Sequence, residues 1–306
     1  MTNLDPISRL SRDLKQAAAT LSPNEARYFV DAYYQIQEYR KASANQIRAL
    51  TKANEPHLTI LWLEEQTRIL ESQIQRLLDT WSDTLPNGVW AKSVCGIGPV
   101  IAAGLLAHID IKKAPTVGHI WRFAGLDPTV TWEKGKKRPW NASLKTLCWK
   151  IGESFVKVSG NEKDFYGHLW TTRKRLEWDH NLRGDFQSEA KRMLSKDFGK
   201  DKIALVWYKG LLDPSTVRQM MDEGADLSSA GACLVPLAPE GKGVPMLPPA
   251  HIHSRSKRWV VKLFLAHYHE VAFWNEFGTP PPKPYVIEHL GHVDKLNPPN
   301  WTPPGV

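Results

Sequence analysis

The sequence predicts a mainly α protein, on three observations. Two stretches of about thirty residues, 24–53 and 58–85, carry apolar side chains at helical three- and four-residue steps. A Gly-Ile-Gly-Pro turn joins two short apolar segments around residue 97. A last helical run over about 254–277 is stopped by Thr279-Pro280-Pro281-Pro282. Candidate strands are few, and residues 129–132 and 286–288 are the best of them.

Residues 1–23 read as a polar N-terminal arm. Helical signals begin at Ser22-Pro23-Asn24-Glu25: Ser22 suits the N-cap, Pro23 the first helical position, and Glu25 the positive end of the helix dipole. Glu55-Pro56 breaks this helix after about Ala53. The second run places Leu61, Ile69, Ile74, Leu77, Leu78 and Trp81 on its apolar stripe. Residues 24–86 are therefore expected to form a helical hairpin or coiled coil, the kind of arm through which two copies of a chain pair. Residues 87–180 read as a helix-hairpin-helix domain with a small basic turn. Residues 181–250 read as a basic helical insertion that passes into a Gly- and Pro-rich loop. Residues 251–278 form a C-terminal helix expected to pack on the domain, and 279–306 a Pro-rich tail, extended or disordered.

Apolar residues make up 42% of the 306, enough for an ordinary globular core. The net charge of +8 favours polyanionic partners, nucleic acid first. Three cysteines, Cys95, Cys148 and Cys233, stand far apart, a spacing that fits neither a disulfide scaffold nor the usual zinc motifs and suits a reducing cytosol. Residues 1–10 lack the apolar centre of a secretory leader, and no stretch reaches the roughly 18 apolar residues of a membrane span. The expectation is a cytoplasmic protein with no membrane partner.

The sharpest local motif is 96–106, in which Pro99 opens a helix behind Gly96-Ile97-Gly98. Glycines at such a turn let backbone amides approach a phosphate, and the helix dipole adds to the attraction. Gly96, Ile97, Gly98, Pro99 and Val100 are thus candidate nucleic-acid contacts. A plain helix–helix turn has the same local sequence, so the surroundings must decide. One element later comes Lys134-Gly135-Lys136-Lys137-Arg138, and residues 134–210 hold 18 Lys and Arg against 9 Asp and Glu. Lys134, Lys136, Lys137, Arg138 and Lys145 join the candidates. Trp121, Trp132, Trp140, Trp149, Trp170 and Trp178 interleave with these cations, a combination that stacks on unpaired bases when the rings are exposed, although most tryptophans are core.

With these motifs in order, the chain resembles the C-terminal domain of the insertion-sequence transposases of the one-ten type, the bridge-RNA-guided recombinases. The resemblance rests on the hairpin at 96–106, the Gly125-Leu126-Asp127-Pro128 end of a helix, a short strand at 129–132, the basic turn at 134–138 and a helix over 141–150, after a coiled-coil hairpin. A closing helix over 251–269 carries Arg255, Lys257, Arg258 and Lys262 with the core pair Phe264 and Leu265. It covers residues 24–180 and 251–275. What it implies is DNA binding in transposition or recombination, with Arg255, Lys257 and Arg258 as further contacts. Two features of the family are missing. Its RuvC-like half, whose acidic residues bind magnesium, has no counterpart ahead of residue 24. Its catalytic serine is replaced by Thr129-Val130-Thr131-Trp132-Glu133, which leaves Thr131 and Ser143 as substitute nucleophiles without a visible activating base.

The sequence thus predicts DNA binding with incomplete catalytic machinery. An active serine-type recombinase completed by a partner nuclease domain, and a module for structured RNA, are the alternatives. No cofactor is expected; magnesium would enter only with an acidic partner. His251-x-His253 and His267-x-His269 do not have metal-ligand spacing on one helical face, so no metal is expected either.

Overall fold

The computed structural model describes residues 16–53, 58–195, 202–225, 227, 235–282 and 295–303. The protein is mainly α, as the sequence predicts, and the described residues contain no strand. In chain order the helices are α1 (Pro23–Lys52), α2 (Leu58–Asp83), α3 (Pro86–Ser93), α4 (Pro99–His108), α5 (Val117–Phe123), α6 (Ala142–Val158), α7 (Tyr166–Arg183), α8 (Gln187–Leu194), α9 (Lys202–Tyr208), α10 (Pro214–Asp222) and α11 (Pro249–Phe277). They divide into two compact units, residues 1–154 with 264–306, and residues 155–263.

In the first unit α1 starts where its sequence dictates. The Ser22 hydroxyl accepts from the Glu25 amide, and the Glu25 carboxylate accepts from the Ser22 amide at 2.8 Å. This reciprocal cap satisfies two of the orphan donors at the helix start. The two long helices then pack on each other and on α4. Ala26 and Val30 of α1 meet Ile74, Leu78 and Trp81 of α2 and Val100, Ala103 and Ala107 of α4. Burying Leu78 completely contributes roughly 1.5–3 kcal/mol. Arg27 of α1 donates to the Ala107 carbonyl at 2.6 Å, a cation on the negative end of α4. Glu71, on α2, takes hydrogen bonds from Arg40 and Gln37 of α1. Burial pushes its carboxyl up, but those bonds outweigh it and hold the group below the ordinary range.

The start of α2 is different. Leu58, Ile60, Leu61, Trp62 and Leu63 are all exposed, so this end of the helix pair presents apolar side chains at the surface.

The C-terminal half of α11 belongs to the same unit. Phe264 stacks on Trp90 of α3, ring centroids 5.9 Å apart, and the Trp90 indole donates to the Pro299 carbonyl at 2.9 Å. His267 and His269 donate to the carbonyls of Leu296 (2.9 Å) and Ala114 (2.8 Å). Residues 295–303 of the Pro-rich tail are therefore tied down by specific hydrogen bonds.

In the second unit Trp207, Tyr208, Leu212, Val217, Met246 and Ile252 are buried together. The Gly- and Pro-rich segment has no regular structure over 235–248, yet it is held by main-chain hydrogen bonds to α9 and the turn after it, among them Met246 to Trp207 at 3.0 Å and Val244 to Leu212 at 3.0 Å. The buried Asn181 of α7 pairs both ways with Leu247, each bond 2.9 Å, replacing the backbone partner a strand would have had.

Residues 129–132 are not a strand. Asp127 accepts from both the amide (2.9 Å) and the hydroxyl (2.7 Å) of Thr129, and this local turn competes with extended pairing. The other candidate strand, 286–288, lies outside the described residues.

Candidate nucleic-acid interface

The turn between α3 and α4 separates the roles of its two glycines. Gly96 sits at φ +92°, a conformation that side chains resist, so the turn requires glycine there. Its carbonyl accepts from Ser154 of α6. Gly98 is the N-cap of α4 at φ −91°, ψ 176°, extended backbone that any residue adopts. A Cβ built on it would meet no atom within 4 Å. Glycine at 98 is therefore not demanded by fold; what it does is leave the helix end uncovered. No side chain caps that end, so the first-turn amides of α4 remain available to an outside acceptor. Ile97 and Val100 are buried and anchor the turn, Pro99 is half-buried, and Gly98 alone of the five is exposed.

Between α5 and α6 the chain forms a wide exposed loop. Its base is fixed: Gly125, at φ +66°, lies so close to Trp140 that a Cβ would stand 2.8 Å from the indole. Lys145 reaches back over the Trp140 ring at 4.0 Å, and Asn141 donates to the Phe123 carbonyl at 2.9 Å. Beyond this base Lys134, Lys136, Lys137 and Arg138 are all exposed. Lys136 pairs with Glu133 at 2.8 Å, and Arg138 lies over Trp132 at 5.5 Å. Lys134 and Lys137 have no ion pair among the described residues. The loop thus presents cations with one acid to balance them. Two of the interleaved tryptophans are also exposed, Trp132 in the loop and Trp149 on α6, the latter at 60%.

Thr131 and Ser143 are exposed, and neither hydroxyl has a hydrogen-bond partner among the described residues. No hydrogen bond to a base activates either hydroxyl among the described residues.

The basic residues of α11 are placed otherwise. Arg255 lies in the second unit, where it donates to Glu177 (2.8 Å) and Glu189 (2.6 Å) and covers the Phe186 ring at 4.3 Å. Glu177 is buried and also accepts from Arg173 at 2.9 and 2.6 Å. Burial pushes its carboxyl up, and the two arginines more than reverse that, so it stays ionised below the usual range. Arg255 is committed to this network. Lys257 is half-buried and Arg258 exposed. Among the described residues no group of three or more His, Cys, Asp or Glu could hold a metal, and no helix is long and apolar enough to cross a membrane.

A feature with no counterpart among the sequence-derived contacts is a cleft in the second unit lined by α7, by the first turns of α11, and by Met221, Ala225 and Leu227 at and after the end of α10. Its signal in the sequence was the repeat of Trp170, Lys174 and Trp178 at four-residue steps. No family model, curated protein or solved structure matches the chain.

Proposed function

We propose that the protein binds nucleic acid, DNA in the first place, through the uncapped start of α4 and the basic loop at 134–138, in the manner of the transposase domains its motifs resemble. The observation that carries this reading is the exposed loop: four cations in five residues, one neighbouring carboxylate, and a rigid base made by Gly125, Trp140 and Lys145. Amides at the α4 start hold phosphate oxygens, and the loop cations neutralise further phosphates. Such contacts position a duplex without reading its sequence. Catalysis is not part of the proposal, because no hydrogen bond to a base activates Thr131 or Ser143 among the described residues.

The test is binding to a duplex, a single strand and a structured RNA at several salt concentrations, read by fluorescence anisotropy. Log affinity for duplex should fall linearly with log salt, with a slope near −0.9 per phosphate contacted. Flat salt dependence, or no binding at low salt, rejects the reading; preference for the RNA transfers it to the alternative.

A second copy of the chain is the proposed protein partner, through residues 24–86. The exposed Leu58, Ile60, Leu61, Trp62 and Leu63 support it. Because α1 and α2 share their core with α4, the test is substitution and not deletion. Leu61→Lys with Leu63→Lys should convert a dimer to a monomer by light scattering with no loss of thermal stability, and a wild-type monomer would refute the pairing.

A further inference from the structure

We propose that the second unit binds a nucleoside phosphate, either a free nucleotide or one unpaired nucleotide of a strand, in the cleft between α7 and the first turn of α11. The cleft measures about 620 Å³, within the roughly 300–1,000 Å³ of small-molecule sites. It shares no residue with the α4 turn or the 134–138 loop, and its occupancy does not depend on their role.

The walls explain the ligand class. On α7 the lining positions are Trp170, Thr171, Lys174, Arg175 and Trp178, which fall at steps of one, three, one and three and so share one helical face. Facing them are His253 and Ser254 in the first turns of α11. That face repeats aromatic, cation, aromatic along the helix. Trp170 and Trp178 are buried and give the cleft an aromatic floor. The Lys174 ammonium stands 5.3 Å from the Trp170 ring centroid, and His253 meets the same ring edge-on at 5.4 Å. Arg175 is exposed and has no ion pair among the described residues. No carboxylate is among the described residues that line the cleft, and the N-terminal end of a 29-residue helix adds positive potential to it.

An anion is favoured by Lys174, Arg175 and the α11 terminus. Aromatic and apolar walls favour a flat ring attached to that anion, and the volume admits one such unit and not a double helix. The Trp170 indole N–H is buried without an acceptor among the described residues; a donor in that state is rare in a folded protein, and a ligand acceptor reaching this wall would satisfy it. Thr171 and Ser254 supply hydroxyls of either polarity for sugar or base.

The experiment titrates the full chain with AMP, UMP, adenosine, inorganic phosphate and a six-nucleotide single strand, read by tryptophan fluorescence and calorimetry. AMP or UMP should bind saturably, with adenosine and phosphate each at least tenfold weaker. Arg175→Ala and the pair Lys174→Ala, Arg175→Ala should weaken binding at least tenfold; Arg175 is at the surface, so an unchanged thermal midpoint shows that the fold survives. Binding by the mononucleotides assigns the free form. Binding by the single strand alone, with the same sensitivity to Arg175→Ala, assigns the strand form. Neutralising the 134–138 loop should leave mononucleotide binding unchanged, which separates this site from the interface proposed above. The proposal is overturned if phosphate binds as tightly as AMP, if neither mononucleotide nor strand binds, or if the Arg175 variants bind as the wild type does.

Discussion

The loop at 134–138 and the start of α11 begin from similar sequence, a cluster of Lys and Arg beside tryptophan, and end in different surroundings. In the loop, Lys134, Lys136, Lys137 and Arg138 stand in solvent around one exposed carboxylate, Glu133. In α11, Arg255 is joined to Glu177 and Glu189, and Arg173 completes the group from α7. The first set of charges is available to a partner; the second is used within the fold. A run of cations therefore predicts binding only where the fold brings no acid to meet it, and the acids that decide this lie 66 and 78 residues from Arg255 in the chain.

Removing the acid from each region gives the sharpest contrast. Glu177→Ala removes the buried acid that Arg173 and Arg255 share; Arg255 keeps Glu189, so the cost should be on the order of 1–3 kcal/mol, the range for hydrogen bonds to charged groups. Glu133→Ala removes an exposed partner and should leave the urea midpoint unchanged. Equal effects of the two substitutions on urea unfolding would erase the distinction between the regions.

The first unit should lose stability in acid. Burial pushes His108 down to about 4, with Arg27 adding to the effect, and burial pushes His267 down to about 4 despite its bond to Leu296. Both belong to the first unit. A folded-state value below the unfolded value of about 6.5 means that the unfolded chain binds protons first. The stability these neutral rings contribute is thus complete above about pH 6.5 and is lost as pH falls from there towards 4, at up to about 3 kcal/mol each. Urea midpoints measured from pH 7.5 to 4.5 should fall, and His267→Gln, which keeps a donor for the Leu296 carbonyl, should flatten the slope. A pH-independent midpoint in the wild type would refute this.

Much of the first unit was legible because its signals are local. Ser22-Pro23-Asn24-Glu25 contains the whole cap of α1, and Gly98-Pro99 contains the start of α4. Legibility stopped where structure depends on distant partners. Nothing near Arg255 announces Glu177, nothing near Leu247 announces Asn181, and the Val130–Trp132 stretch has strand-forming side chains but no strand to join among the described residues. The two glycines of the turn also looked alike in sequence, and only their dihedral angles tell a required glycine from a permitted one. The cleft on α7 was half legible: the spacing of Trp170, Lys174 and Trp178 was visible, and the helix that faces them was not.

Neutralising the two basic regions should separate affinity from stability. Alanine at Lys134, Lys136, Lys137 and Arg138 together should weaken duplex binding by about ten- to a hundredfold and make the salt slope shallower by roughly 3 to 4, with no change in thermal midpoint. Arg255→Gln should lower the midpoint and leave the salt slope as it was. If Arg255→Gln instead changed the slope, the helix would contact phosphate and the contrast drawn here would fail.

The smallest effect is expected at the turn, where the two glycines allow a direct comparison. Gly96→Val places a branched side chain at φ +92°, which costs on the order of 1–3 kcal/mol, so the unfolding midpoint should drop. Gly98→Val enters open space at an extended φ of −91°, and stability should stay within error. Its consequence lies outside the fold. Two methyl groups beside the uncapped amides of α4 hold a phosphate away from the donors, and several-fold weaker duplex binding should follow at every salt concentration with an unchanged slope, because no charge has been removed. Gly98→Ala, with a single methyl in the same space, should fall between wild type and valine. A Gly98→Val protein that binds duplex as tightly as wild type would show that the turn only joins two helices, and the basic loop would then carry the interface alone.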